Sequence, residues 1–537
     1  MPGPVTFCAN AAQIALDTVP AVRRTEASPL LETNTVVPAA HGTLGLSLGF
    51  GLVRGVSLAV LVRRGAAPSA WWRWPLWALA GTIGAALPVA IASLWLPAEP
   101  GTWPIRHATA LGSLVAAGWL VGAGLSPRAS VDGLKRGAIL ASGATLPRPP
   151  SDDALCFAGV PVTLQDEVKH FKLLGTTGTG KSTAIRSLLA AAIARGDRAV
   201  IADAGGEYLR EYFSAARGDV LLNPFDDRGA RWQPLLELRS AHDPEELARA
   251  LISDATGAEQ AWRQYARVFL AALLRRLEAS GLTEPAELWR LLTVASVDEL
   301  RTLLDGSPAQ PLLEPGNERM FGSVRAVAGS CLTALAHLRA TGSTGFSVRD
   351  WVQRGRGSLF LPYGADQVAA LQTLVSAWMR LAILAAMSGG AADRRLWFVI
   401  DELDALGAID GLKDALARLR KFGGRCVLGF QSIAQVRAVY GSAEAQTIVE
   451  NCGNTLILRC SASEHGGTAG FAAALIGERE ILRPSAGAAT RGPWSRSPPL
   501  HVTELAVLAA EIEQLPDLEG WVKVASRAEW RRVRVER

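Results

Sequence analysis

The segment that most constrains this chain is a glycine-rich turn set between a strand and a helix. The apolar run KHFKLLG leads into Gly175-Thr176-Thr177-Gly178-Thr179-Gly180-Lys181-Ser182, and the Ala/Leu-rich stretch TAIRSLLAAAIARG follows. The spacing GxxxxGK[ST] in that strand-turn-helix context marks a phosphate-binding loop. Its glycines let backbone N–H groups turn inward, and the helix N-terminus adds the positive end of its dipole. Residues Gly175, Thr176, Thr177, Gly178, Thr179, Gly180, Lys181, Ser182 and Thr183 are the candidate nucleotide-binding set. Lys181 is expected to reach the β/γ-phosphates, and the Ser182 hydroxyl to be a ligand for Mg²⁺.

Such a loop needs a carboxylate from a second strand, and LWFVIDE supplies one. Asp401 falls at the strand's C-terminal mouth, where open α/β sheets bind ligands. It is the candidate second Mg²⁺ partner, and Glu402 the candidate general base for an attacking water. By itself an acidic pair at a strand end reads equally as a solvated turn or a helix cap. The phosphate loop upstream turns the reading towards catalysis, with ATP and Mg²⁺ as the expected cofactors.

Past residue 151, strand-length apolar runs alternate with Ala/Leu-rich helical stretches, the pattern of an α/β domain with a mostly parallel sheet. Between WQPL and GSLFLPY, residues 241–345 read as helical segments such as AWRQYARVFLAALLRRL, with no strand signal. Arg263, Arg267, Arg275 and Arg276 in that stretch would form either a phosphate-facing surface or an ordinary solvated helix face. The net charge of +5 fits phosphate handling without requiring it. The six cysteines lie far apart, with neither a CxxC pair nor zinc-type spacing, and are read as reduced cytoplasmic thiols.

The N-terminal region carries a membrane signal instead of a charged, cleavable leader. Residues 75–96 and 108–125 are free of charge and each is long enough to cross the hydrocarbon. Joined by the turn PAEPGTWPIRH, they are expected to form a transmembrane helical hairpin. Arg63, Arg64 and Arg73 precede it and Arg128, Lys135 and Arg136 follow, which places both flanks in the cytoplasm. A third apolar stretch, 43–62, holds Arg54 near its middle at a cost of about 2.5 to 3.5 kcal/mol, an amount its Leu, Val and Phe residues can offset. Whether it spans is left open. The pairs Gly45/Gly49, Gly51/Gly55 and Gly118/Gly122 have the GxxxG spacing of close helix packing, although glycine is common in membrane helices anyway.

Further blocks are more specific. DAGGEY (203–208), NPFDDRGARWQPL (223–235), SVRAVAGSCLTALAHL (323–338), SVRDW (347–351) and RKFGGRCVLGFQSIAQVRAVYG (420–441) follow one another in an order that resembles the TraD-like coupling proteins of conjugative type IV secretion systems. The resemblance covers most of residues 130–535 and implies a RecA-like motor of the FtsK/HerA superfamily. It implies an ATPase at the bacterial inner membrane that assembles as a homo-hexamer and moves single-stranded DNA from the relaxosome to the secretion channel proteins. The domain layout it implies is an N-terminal segment at 1–74, the hairpin at 75–125, a nucleotide-binding domain at 126–240 and 346–537, and an inserted all-α domain at 241–345.

By the same resemblance, Gln431 is a sensor of the γ-phosphate and Arg420 an arginine finger. Asp203 and Glu207 match without an assigned role beyond bracing the loop, and Tyr208 and Arg210 are candidates to touch DNA in a pore. Many relatives carry a long C-terminal tail, whereas here the apparent last strands GWVKVA and EWRRVRVE run to Arg537, so recruitment through a tail is not expected. Three other readings share parts of this pattern: a coupling ATPase for protein effectors, a HerA- or FtsK-like DNA pump, and a receptor that binds ATP only to hold its shape. The pump lacks the helical insertion, and the complete set Lys181, Asp401, Glu402, Gln431 and Arg420 argues against the receptor.

Overall fold

Short apolar runs such as FKLL, LFLPY, LWFVI and GRCVLGF are buried along their whole length. Parallel strands covered on both faces by helices require this. The computed structural model describes residues 50–60, 74–86, 103–125, 133–141, 155–254, 257–338, 345–388, 395–463, 466–483 and 500–536. The chain divides into two compact units, Met1–Val131 and Asp132–Arg537.

The second unit is built on a ten-stranded sheet. Its order is Ile139–Ala141, Glu529–Arg534, Glu519–Lys523, Asn454–Ile457, Phe171–Leu174, Gly424–Phe430, Leu396–Ile400, Arg198–Ala204, Leu359–Tyr363 and Val220–Leu221. From Asn454–Ile457 to Val220–Leu221 every pairing is parallel. The apparent last strands form an antiparallel hairpin on the Asn454–Ile457 edge. Successive side chains point to opposite faces, so Trp397 and Val399 enter one core while Phe398 and Ile400 enter the other. The strand that carries the phosphate loop and the strand that carries the acidic pair are not neighbours. Gly424–Phe430 lies between them, and that places Gln431 in the middle of the site.

Helices Asp243–Leu251, Glu259–Ser280, Pro285–Thr293, Val297–Leu303 and Glu318–Cys331 occupy the stretch between the sheet's two halves. Their buried residues, Phe269 and Phe321 among them, are continuous with the core on one face of the sheet. Both crossings of the chain meet at Glu237, which is fully buried. Its carboxylate accepts hydrogen bonds from Trp232 Nε1 (2.8 Å) before the helices and from Val348 N (2.6 Å), Ser347 Oγ (3.0 Å) and Arg349 N (3.1 Å) after them.

The arginines of the long helix are already engaged. Arg267 donates to Ile252 O (2.7 Å) and pairs with Asp254 (2.6 Å), Arg263 donates to Ser253 O (3.1 Å), Arg275 pairs with Glu245, and Arg276 donates to Asp305 O. They tie this helix to its neighbours instead of presenting a ready phosphate-facing surface.

The first unit contains helices Phe50–Val60, 74–86 and Trp103–Leu125. The described part of the 43–62 stretch is thus helical. Only one of the two fully described glycine pairs packs closely: a Cβ at Gly118 would lie 2.8 Å from Val56 Cβ, and one at Gly122 would lie 2.7 Å from Val60 Cβ, whereas Gly51 and Gly55 face open space. Gly45 and Gly49 lie outside the described residues, as do 87–96 of the first hairpin span. Trp74 Nε1 donates to Ser57 Oγ (2.7 Å), and the Arg54 guanidinium lies over the Trp74 ring. Among the described residues one helix is long and apolar enough to cross a membrane, Val368–Ser388, and it is mostly buried in the second unit's core.

The cysteines of the described residues are free, and Cys8 lies outside them. Near the base of the sheet, His170 is buried with Nε2 donating to Leu416 O (2.8 Å) and Nδ1 accepting from Cys426 N (3.1 Å). Both bonds fit the neutral ring, and burial pulls its pKa down to about 4. An unfolded histidine titrates near 6.5. The stability this group contributes is therefore present above about pH 6.5 and lost as pH falls from there through 4. Urea unfolding of the unit Asp132–Arg537 is expected to lose up to about 3 kcal/mol more in that window than a His170→Gln variant does. Parallel pH profiles for the two proteins would refute this.

Candidate nucleotide site

The phosphate loop opens where Phe171–Leu174 ends and closes on the helix Lys181–Ala194. Gly178 (φ +77°) and Gly180 (φ +111°) take left-handed conformations that other residues adopt only at a cost. A Cβ at Gly175 would strike Thr179 Oγ1 at 2.7 Å. That hydroxyl instead donates to Thr176 O (2.7 Å) across the loop. From outside, Thr176 N donates to Arg459 O (2.9 Å) and Leu518 N donates to Thr179 O (2.9 Å), so neighbouring strand ends brace the loop. Lys181 is buried, and its Nζ donates to Gly175 O (2.6 Å) and Thr176 O (3.2 Å). Burial lowers its pKa against the opposing pull of Asp401 and Glu402. Thr183 follows on the first helical turn, half-buried.

Asp401 stands one residue beyond Leu396–Ile400 and is 8% exposed. Its Oδ2 accepts from Ser182 Oγ (2.7 Å) and from the Tyr208 hydroxyl (2.9 Å). Its Oδ1 is buried and has no hydrogen-bond partner. A carboxylate oxygen with free lone pairs beside a serine hydroxyl suits a hard divalent cation that keeps most of its coordination for water and phosphate. The described residues hold no cluster of three or more His, Cys, Asp or Glu that would make an all-protein metal cage. The residues present therefore fit Mg²⁺ bound together with a nucleotide.

Glu402 is half-buried, and Gln431 Nε2 donates to its Oε1 (2.6 Å). Thr177 Oγ1, on the phosphate loop, donates to Gln431 Oε1 (2.9 Å). Gln431 thus connects the acidic strand to the loop through side chains that come from three different strand ends. Arg420 stands apart from this group. It follows the helix Leu412–Leu419 and is exposed, and its guanidinium makes no hydrogen bond or ion pair to a described residue.

Asp203 is the penultimate residue of the strand Arg198–Ala204 and accepts from Tyr208 N (3.2 Å) and Leu209 N (2.7 Å), which caps the helix Glu207–Tyr212. Burial pushes its carboxyl up to about 6. Glu207 pairs with Arg186 on the phosphate-loop helix. Tyr208 is 2% exposed with its hydroxyl on Asp401, and this overturns the expectation that it faces a pore. Arg210 donates to Gly205 O (3.3 Å) from an exposed position. The Tyr208–Asp401 contact is the part of the site that sequence reasoning missed. Its signal was present in DAGGEY, where two glycines turn the chain back over the sheet's end.

The family model for the type IV secretion-system coupling protein DNA-binding domain matches residues 154–536. The coupling protein TraD of Escherichia coli (strain K12) is 33% identical over 342 residues, which are 62% of this chain and 47% of TraD. The chain thus spans about half the length of that curated relative. Among solved structures, the unbound bacterial conjugative coupling protein TrwBdeltaN70 is 32% identical with a TM-score of 0.69, covering 75% of this chain and 94% of its own. The plasmid coupling protein TrwB in complex with ADP and Mg²⁺ is 32% identical with a TM-score of 0.68 over the same shares. TrwB with the non-hydrolysable ATP analogue ADPNP is 31% identical, with a TM-score of 0.68 over 76% of this chain and 96% of its own. With the family matched from residue 154 to 536 and a solved relative aligned over nearly its whole length, this chain belongs to the type IV secretion-system coupling proteins.

Proposed function

We propose that this protein is the coupling ATPase of a conjugative type IV secretion system, and that it binds ATP with Mg²⁺ and spends the hydrolysis on moving single-stranded DNA. The observation that carries the reading is the Asp401 carboxylate, held on one oxygen by Ser182 and Tyr208 and free on the other, directly beside the phosphate loop. Solved TrwB with ADP and Mg²⁺, and with ADPNP, supports the choice of nucleotide and metal. Bound Mg²⁺ would neutralise charge on the phosphates. Lys181 exchanges its two carbonyl partners for phosphate oxygens. Glu402 takes the proton of an attacking water, and Gln431, already bonded to both Glu402 and Thr177, reports the state of the loop.

In this reading the protein works as a homo-hexamer at the bacterial inner membrane, receives DNA from the relaxosome and hands it to the secretion channel. Residues 126–240 and 346–537 form the RecA-like motor domain, and 241–345 the inserted all-α domain. Residues 75–96 and 108–125 are the membrane hairpin, with both flanks in the cytoplasm. Leu76, Trp77, Leu79, Ile83, Leu111 and Trp119 are exposed on the helices of the first unit, a surface suited to lipid. Reporter fusions after Ser69 and after Pro127 are expected to read cytoplasm, and one within 97–105 to read periplasm. A periplasmic Pro127 fusion refutes the hairpin.

The function is tested by ATP turnover of the full chain in detergent, with and without single-stranded DNA. DNA is expected to stimulate turnover, and Lys181→Ala to abolish it while leaving the fold intact, because Lys181 bonds only to loop carbonyls. Turnover that ignores DNA but responds to a secreted protein would move the cargo to effectors, and an active Lys181→Ala would remove the site itself.

A further inference from the structure

Asp401 is held asymmetrically, and the hold reaches back through a second chain segment. Gly205 (φ +80°) and Gly206 (φ +67°) turn the chain sharply at the end of Arg198–Ala204. Asp203, fully buried, pins the next turn through the amides of Tyr208 and Leu209. That fixes where the Tyr208 ring enters, and its hydroxyl ends 2.9 Å from Asp401 Oδ2. Ser182 Oγ donates to the same oxygen at 2.7 Å. Two donors on Oδ2 and none on Oδ1 fix the plane of the carboxylate and leave one oxygen's lone pairs uncommitted. The Ser182 hydroxyl alone would not fix it in the same way, because the reading above also enlists that oxygen as a ligand.

We propose that Tyr208 is a positioning residue for the cation: its hydroxyl holds the Asp401 carboxylate in one orientation and leaves Oδ1 uncommitted, so that the metal-dependent part of nucleotide binding rests on the DAGGEY turn. This inference builds on the proposed nucleotide site and adds to it a residue outside the phosphate loop and the acidic strand. Phenylalanine would keep the ring in its buried seat and remove only the donor.

The test uses the full chain in detergent and a fluorescent ADP analogue, titrated in EDTA and across a Mg²⁺ series, for the parent and Tyr208→Phe. In EDTA the two are expected to bind the analogue within about twofold of each other. The Mg²⁺ concentration that gives half of the metal-dependent gain is expected to rise about tenfold in Tyr208→Phe, the scale of one hydrogen bond to a charged group. Tyr208→Trp, which changes the ring as well, is expected to lose binding in EDTA too, and so marks what a packing defect looks like. An unchanged Mg²⁺ midpoint in Tyr208→Phe overturns the inference. So does an equal loss with and without metal, which would make Tyr208 purely structural. A parent that binds no analogue under either condition refutes the nucleotide site itself, and that outcome is visible before any substitution is made.

Discussion

Arg420→Ala is expected to bind ATP as the parent does and to hydrolyse it at least about a thousandfold more slowly, the scale on which arginine fingers act in phosphoryl transfer. Arg420 follows the helix Leu412–Leu419 and precedes the strand Gly424–Phe430, which leads directly into Gln431. A cation at a helix C-terminus is favoured by typically 0.3 to 1 kcal/mol, and a local cap is the alternative role for this side chain. Its guanidinium makes no hydrogen bond to the last carbonyls of its helix or to any other described residue. It is also not among the side chains gathered around Asp401, Glu402 and Gln431 in its own chain. In the proposed hexamer, an exposed guanidinium outside its own site is free to serve a neighbour's. Inactive Lys181→Ala and inactive Arg420→Ala subunits, mixed in one ring, should therefore regain part of the activity, since some sites would pair an intact lysine with an intact arginine from the next subunit. Mixed rings that form and stay inactive would refute action in trans, and an Arg420→Ala protein hydrolysing at the parent's rate would take Arg420 out of catalysis.

Glu237→Ala is expected to cost on the order of 3 kcal/mol or more in unfolding free energy. The carboxylate is fully buried and receives four hydrogen bonds, and removing it leaves the donors of Trp232, Ser347, Val348 and Arg349 without their partner. Each buried donor left unpaired costs about 1 to 3 kcal/mol, and water entering the gap offsets some of the total. Arg349 carries the same junction further by pairing with Asp243 Oδ1 (2.6 Å) at the start of the first inserted helix. Glu237→Gln should lie between the parent and the alanine variant, because its carbonyl still accepts while its amide faces donors. Urea unfolding measures both, and amide exchange across Val348–Arg354 should rise in step. A Glu237→Ala protein within about 0.5 kcal/mol of the parent would show that the two chain crossings are held together by apolar packing alone.

The blocks WQPL and SVRDW stand out in the sequence, but more than a hundred residues separate them. Nothing local indicates that Glu237, two residues beyond the first, accepts from both blocks, and their meeting there is a property of the folded sheet. The arginines of AWRQYARVFLAALLRRL show the same limit from the other side. A helix rich in arginine reads as either a phosphate-facing surface or a solvated face, and only the fold brings it the acceptors Ile252 O, Asp254, Glu245 and Asp305 O from other segments. Glycine spacing is equally ambiguous, since Gly118/Gly122 and Gly51/Gly55 share one pattern and only the first pair has a helix against it.

By itself the sequence determined the phosphate loop, the acidic strand end and the α/β alternation. Each is a local requirement: glycine where φ must be positive, a lysine and a hydroxyl at the first turn of a helix, and apolar runs at strand length. Tertiary structure alone decided which side chains converge on that frame. Gln431 lies between Glu402 and Thr177 because Gly424–Phe430 is inserted between the other two strands, and Tyr208 reaches Asp401 across 193 residues because the Gly205-Gly206 turn folds back over the sheet's end. The physical reason is that backbone conformation is set by neighbours in the chain, whereas strand order and the direction of a buried side chain are set by the packing of the whole sheet.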